Sequence, residues 1–478
     1  MSSTRCGSVM DDISAVSAMA ARKVHRRRSR RKVHRRRSRR VVGVASLAVV
    51  VIAVAGAASV IYPRMSGGAA VSSDALGGRT APGSAKFSYG FDFSQVGPFP
   101  GVQGDPRALA SARHVLSSIP GMREDISIMD WGLPDPEPRP GKFDFSAIAS
   151  RIKLITSTGG TPVVTLSAAP DWMKNGTSPN DAPTPDHYQD FATLAAKIAQ
   201  SFPQVKYFVV WNELKGFWDK AAKDWNIQGY TAMYNDVYMA IKRVRPDAQV
   251  GGPYVSTPPH AKAKAGTRPY TPHGAWGYLD SRDLTAIQYW LAHKAGADFI
   301  AVDGRDYPRT GPITDALTAT EKYVAVDRWL RRQTRLPIWW MESHIQPFNS
   351  GWSESQAAAI RIAALVQLAS SGARVAMQWQ PQQGGGRLSD EGLWTATDSP
   401  GGGKPTVLAK ILPRVLLALC PPVSVVAGQS PGVLVARGRG GTIATNTTAR
   451  SAIAKVSGIS VPLGPGQVRV TYSRHPCS

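Results

Sequence analysis

Between residues 86 and 380 short apolar runs alternate about eight times with longer amphipathic stretches, and no other feature restricts the fold as much. The runs are KFSYGFDF (86–93), EDISIMDWG (124–132), TPVVTLSAAP (161–170), VKYFVVWNE (205–213), AQVGGPYV (248–255), ADFIAVDG (297–304), LPIWWMES (336–343) and ARVAMQWQ (373–380). They show little polar alternation, as strands buried on both faces do. The clearest helical stretches between them are FSAIASRIKLITSTGG, HYQDFATLAAKIAQSF and ESQAAAIRIAALVQLASSG, the first and last ending on glycine stops. Eight strand and helix units in about 330 residues predict a (β/α)8 TIM barrel, an α/β fold with its excess length in loops on one face. A doubly wound open sheet is the competing topology. Its usual nucleotide loops, GxGxxG or GxxxxGK[ST], follow none of the runs.

KPTVLAKILPRVLLAL supplies a last helix, so the barrel is expected over residues 86–418. The remainder, 419–478, reads as a small all-β domain built from PVSVVAGQ, GVLVARGR, GTIATNTT and QVRVTYS. Cys420 and Cys477 bracket it. A bridge between them would contribute about 4 kcal/mol on the chain-entropy model.

The N-terminal part is of another kind. Residues 22–30, RKVHRRRSR, are repeated without change at 31–39, and residues 1–40 hold 14 Lys/Arg and two Asp, half of the chain's net charge of +24. Residues 41–62 follow, VVGVASLAVVVIAVAGAASVIY, 22 residues without a charge. A helix of that length spans the roughly 30 Å hydrocarbon layer. Positive charge on its N-terminal flank predicts a signal anchor with a cytoplasmic arm and the rest of the chain outside. Cleavage near Ala57 is the alternative, and it would release a secreted protein. The arginine repeat serves topology and anionic headgroups without requiring a specific nucleic acid. Residues 63–85, rich in Gly and Ser, read as a flexible tether.

Reactive groups in such a barrel collect at the C-terminal ends of strands. Glu213 follows Trp211 and Asn212 at the end of the fourth run, and Glu342 follows Trp339, Trp340 and Met341 at the end of the seventh. A carboxyl behind bulky apolar residues is costly to desolvate unless a charge, proton or ligand compensates it. The fourth and seventh strands lie almost opposite, so the two carboxyls can meet over the barrel mouth. A pair about 5 Å apart suits double displacement at an anomeric carbon, and a wider pair suits inversion through water.

This WNE at a strand end, with a second Glu ending a hydrophobic strand about 130 residues later, resembles the glycoside hydrolases of clan A. It is most similar to family 39, the β-xylosidases and exopolysaccharide hydrolases. The resemblance implies a retaining enzyme with Glu213 as acid/base, Glu342 as nucleophile and Asn212 on the sugar 2-hydroxyl. It also implies Trp379 as the aromatic floor of the cleavage subsite. The chain departs from the family pattern at Leu214, where a proline usually follows WNE. It departs again in the sixth run, where VDGRDYP replaces the usual His and Tyr, leaving Tyr307 as the expected partner of Glu342. Such a division of labour requires Glu213 to keep its proton to higher pH than Glu342.

All 13 tryptophans fall between residues 131 and 394. Trp131, Trp172 and Trp218 follow the second, third and fourth runs, where flat rings can stack on sugars. Trp290 and Trp329, within helical stretches, are expected to pack. The nine histidines show no HExxH or comparable spacing, so no metal and no cofactor is expected, and His344 reads as a wall residue beside Glu342. Asn175-Gly-Thr and Asn446-Thr-Thr fit the glycosylation sequon. The function expected is hydrolysis of a β-linked oligo- or polysaccharide outside the cell. An inactive carbohydrate-binding surface protein and a salt-sensitive polyanion adhesin are the alternatives.

Overall fold

The computed structural model describes residues 86–92, 97–119, 121–130, 132–264, 271–308, 315–345, 351–384 and 392–474. The arm, the apolar run, the tether, Trp131 and Cys477 lie outside them. Among the described residues no helix is long and apolar enough to cross a membrane.

Eight parallel strands close on themselves. They are β1 (Ser88–Phe91), β2 (Arg123–Ser127), β3 (Thr161–Leu166), β4 (Tyr207–Val210), β5 (Gln249–Ser256), β6 (Phe299–Arg305), β7 (Ile338–His344) and β8 (Val375–Gln378). Each pairs with its neighbours in sequence, and β1 pairs with β8. The helices are α1 (Pro106–Ser117), α2 (Ser146–Ser157), α3 (Tyr188–Ser201), α4 (Ile227–Val244), α5 (Ser281–His293), α6 (Ala316–Gln333), α7 (Glu354–Ser371) and α8 (Val407–Ala418). Their ends follow local chemistry. Asp105 caps α1 ahead of Pro106, Ser353 and Gln356 form a capping box on α7, and Gly372 ends α7 in the left-handed conformation.

Two apolar layers result. Side chains facing out of the sheet, among them Ile126, Val164, Phe208, Val302 and Trp340, pack under the helices. Val163, Val209, Tyr254, Phe299, Ala301, Trp339, Met341, Val375 and Met377 fill the barrel itself. Trp290 and Trp329 are buried in the helical layer, as expected.

The C-terminal part is all β. It contains β9 (Ser424–Val425), β10 (Val433–Gly438), β11 (Gly441–Asn446), β12 (Ala452–Val456), β13 (Ile459–Leu463) and β14 (Val468–Tyr472). The first three pair antiparallel with β14 in one sheet, and β12 and β13 form a hairpin that the expected strands omitted. Its turn, Ser457-Gly458, has positive φ at both residues, the geometry that matches strand twist in a two-residue turn. A Cβ at Gly440 would meet the Leu417 carbonyl, so a bare backbone lets this sheet approach the end of α8. Cys420 is disulfide-bonded, and its partner lies outside the described residues. Asn446 is fully buried and its Nδ2 donates to the Arg450 and Gly464 carbonyls, so this sequon is closed to a glycan, whereas Asn175 is exposed.

Candidate active site

Register slips on β5 and β7 build the site. Along β6, Ala301 points into the barrel, Val302 out and Asp303 in. Opposite them, Val302 pairs with Trp340 but Asp303 pairs with Glu342, so β7 carries one residue more than its partner. The extra residue reverses the alternation: Met341 and Glu342 both face the interior. The same happens on β5, where Ala301 pairs with Pro253 and Val302 with Val255, leaving Tyr254 over with a φ of 55°. The Tyr254 hydroxyl donates to Glu342 Oε1 at 3.0 Å.

Glu342 is further held by His344 Nε2, 3.3 Å from its Oε2. The Trp379 ring stacks on His344 with centroids 4.9 Å apart. Behind them the buried Arg361 of α7 donates to both the hydroxyl and the carbonyl of Ser343 at 2.8 Å, pinning the strand end.

Glu213 arrives from a different kind of backbone. β4 stops at Val210, and Trp211, Glu213 and Leu214 all take left-handed φ values of 71°, 52° and 54°. Non-glycine residues seldom adopt that region, and three so close together mark a strained turn. Trp211 is buried and its indole donates to the Lys215 carbonyl at 2.6 Å, which holds the turn. Proline cannot reach φ of +54°, so Leu214 in place of the expected proline belongs to this turn geometry.

At its tip Glu213 Oε2 lies 2.5 Å from the Lys215 ammonium. The Asp303 carboxyl of β6 is near enough to interact with that of Glu213. Burial pushes Glu213 up, but Lys215 and the neighbouring Asp303 outweigh it and bring its pKa down to about 2. Asp303 goes the other way: burial and the charges of Glu213 and Glu342 raise it well above the carboxylate range. Burial works against the Lys215 ammonium, and the surrounding carboxylates raise it regardless. The expectation that Glu213 keeps its proton is therefore corrected for the free site.

Oxygen or nitrogen atoms of Asp303, Glu342 and His344 lie within 4.8 Å of one another, so the three side chains form one compact cluster at the ends of β6 and β7.

Asn212 is buried beside Glu213, and its Oδ1 has no hydrogen-bond partner among the described residues. Tyr307 is buried with the Arg305 guanidinium 5.5 Å over its ring. Tyr254 supplies the observed hydroxyl on Glu342, the role expected of Tyr307. Trp172 is half-buried, with its indole donating to the Glu137 carbonyl at 2.8 Å. Trp218 is 38% exposed on a short hairpin of Trp218–Asp219 with Asp224–Trp225, under the Arg282 guanidinium at 5.0 Å. Asp303, Lys215 and Tyr254 are what sequence reasoning missed as site residues. The acidic residue inside the otherwise apolar FIAVDG was the available signal for Asp303.

A family 39 glycoside hydrolase from the gut symbiont Bacteroides cellulosilyticus WH2 superposes with a TM-score of 0.51 at 14% identity, over 82% of this chain and 80% of that one. The two share the barrel fold. A monomeric β-xylosidase from Caulobacter crescentus CB15 gives 0.51 at 15% identity over 78% and 75%. SrfJ from Salmonella typhimurium gives 0.54 at 12% identity over 82% and 92%. No protein-family model and no curated protein sequence matches the chain.

Proposed function

We propose that this protein is a retaining β-glycoside hydrolase acting outside the cell on a β-linked oligo- or polysaccharide, tethered through residues 41–62. The observation that carries the reading is the position of Asp303. One of its oxygens lies within 4.8 Å of Glu342 and its carboxyl feels the charge of Glu213, so two glutamates from nearly opposite strands share one neighbour at the mouth of the barrel. The fold shared with family 39 structures supports it.

In this mechanism Glu342, oriented by Tyr254 and His344, attacks the anomeric carbon as Glu213 gives a proton to the leaving oxygen. Glu213 then takes a proton from the water that releases the sugar from Glu342. Asn212 offers its unpaired Oδ1 to a sugar hydroxyl, and Trp379 offers an apolar face to the ring. A panel of aryl β-glycosides tests the scheme with Glu342→Gly and Glu213→Ala. Azide should rescue both and give products of opposite anomeric configuration. Full activity in either variant would falsify the assignment.

The ion pair between Glu213 and Lys215 favours a second reading, a carbohydrate-binding protein without turnover, because it keeps the acid ionised. That reading expects sugar binding indifferent to Glu213→Gln and no product from any β-glycoside.

A further inference from the structure

The two oxygens of Glu342 meet different neighbours. Oε1 accepts from the Tyr254 hydroxyl at 3.0 Å, whereas Oε2 stands 3.3 Å from His344 Nε2. That separation is long for a hydrogen bond, which runs about 2.7–3.2 Å. It fits the edge of a zinc tetrahedron, because metal–ligand bonds of about 2.0–2.1 Å set neighbouring ligand atoms about 3.3–3.4 Å apart. Glu342 and His344 stand two residues apart on β7, so both reach the same face of the strand.

A third donor comes from β6. Asp303 pairs with Glu342 across the register slip, and one of its oxygens lies within 4.8 Å of donor atoms of both Glu342 and His344. Asp303 is 1% exposed and its Oδ2 has no hydrogen-bond partner among the described residues. A buried polar atom left so is costly, and a bound cation supplies what it lacks. To reach the tetrahedral edge the farthest pair closes by at most about 1.4 Å, within the swing of an aspartate carboxyl about its two side-chain bonds. The backbone stays where it is. The Asp303 carbonyl accepts from the amide and hydroxyl of Thr257 at 2.8 and 2.7 Å, and Arg361 holds Ser343 at 2.8 Å. The His344 side chain is 25% exposed, which leaves a way in from the mouth. Two ammonium groups stand near, each engaged elsewhere: Lys215 2.5 Å from Glu213 Oε2, Lys322 4.7 Å over the Trp340 ring. Burial and the charges of Glu213 and Glu342 raise Asp303 well above the carboxylate range, so a cation that takes its oxygen releases its proton.

We propose that Asp303, Glu342 and His344 form a binding site for one divalent transition ion, and that the bound ion reversibly blocks the site. An imidazole among the donors favours zinc over magnesium or calcium, and three protein ligands with an open fourth position suit it. Binding stands on these three side chains alone. The block rests on reading Glu342 as the nucleophile of a retaining glycosidase. A carboxylate that shares its charge with a dication is a weak nucleophile, and the ion fills the space through which an anomeric carbon must approach Oε2. No bond in the sugar is made or broken while the ion is held, so a chelator restores hydrolysis. Histidine spacing carries no trace of this site, because its ligands belong to two strands and meet only through the slip in register.

The test titrates zinc sulfate into the full chain, purified without a histidine tag and freed of metal by a chelator, and reads the heat of binding. Cobalt(II) in place of zinc reports coordination number by its visible absorption. The wild type should bind one equivalent that His344→Gln and Asp303→Asn bind more weakly, by on the order of 100-fold or more. His344→Gln alters only the wall of the mouth and decides the matter if Asp303→Asn fails to fold. His187→Ala removes the half-exposed pair that His187 makes with Asp190 at 2.8 Å, and should leave that equivalent in place. Zinc bound equally by the wild type and His344→Gln overturns the site. On aryl β-glycosides zinc should raise the apparent KM of the wild type without lowering kcat, and a chelator should reverse the change. Zinc bound as expected with hydrolysis unaffected overturns the block. If zinc binds as expected and the metal-free protein hydrolyses no β-glycoside, the glycosidase reading falls and the metal site stands.

Discussion

The Tyr254 hydroxyl meets Glu342 Oε1 at 3.0 Å because both residues sit where their strands slip register by one residue against β6. In an unbroken alternation both would face the helices. Bulges near catalytic groups re-aim side chains in this way, and here two of them act on one pair.

Tyr254→Phe keeps the ring that fills the barrel layer and removes only the bond to Glu342. We expect kcat/KM on aryl β-glycosides to fall by about 10- to 100-fold, the equivalent of 1–3 kcal/mol for a bond to a charged group. The thermal unfolding transition should move little. Wild-type kinetics in Tyr254→Phe would remove the hydroxyl from the mechanism.

Lys215→Met should shift the pH profile in a defined direction. In the wild type the ammonium overrides burial and holds Glu213 at about 2. Without it burial dominates, so the carboxyl rises and stays protonated to higher pH. The basic limb of kcat/KM against pH should move upward. A limb that stays in place, or moves to lower pH, contradicts the ion pair as the controlling charge.

Glu124 links pH to stability. It is 1% exposed on β2, with Oε2 lacking a partner among the described residues, and burial raises its pKa to about 8 from 4.5. Between those values the folded protein binds a proton that the unfolded chain releases, so stability falls as pH rises across the window. The slope from one such group is at most about 1.4 kcal/mol per pH unit. Glu124→Gln should flatten the fall, so that denaturant midpoints of variant and wild type differ more at pH 8 than at pH 5. Equal differences at both would show that Glu124 keeps its charge when folded.

Leu214→Pro is expected to destabilise the protein and abolish turnover. Proline fixes φ near −65°, and Leu214 is buried with φ of 54°. Leu214→Gly reaches that φ without strain and should keep the turn while losing the buried side chain. Melting temperatures and activity of the two variants check this, and a fully active proline variant would mean the turn can take another shape.

Much of the architecture was legible in residue order alone. Runs such as TPVVTL and FIAVDG, apolar on both faces, admit few homes other than a parallel sheet under helices, and the glycine stops after α2 and α7 lie where the chain leaves the helix. Glu213 and Glu342 were legible because a carboxyl behind a buried run is rare without a purpose. The hairpin of β12 and β13 was not, since its outer faces carry exposed Ile453 and Ile459 and blur the pattern. Asp303, Lys215 and Tyr254 escaped for another reason. Alternation is a local property with a period of two residues, and a register slip exists only between paired strands. Residue order thus dictated a parallel sheet under helices and two acids at the ends of its strands, and the structure closed that sheet. What each acid meets was decided by tertiary structure, because that depends on distances of a few ångströms between groups on separate strands: the Tyr254 hydroxyl of β5 at 3.0 Å from Glu342 of β7, and an Asp303 oxygen of β6 within 4.8 Å of the same carboxyl.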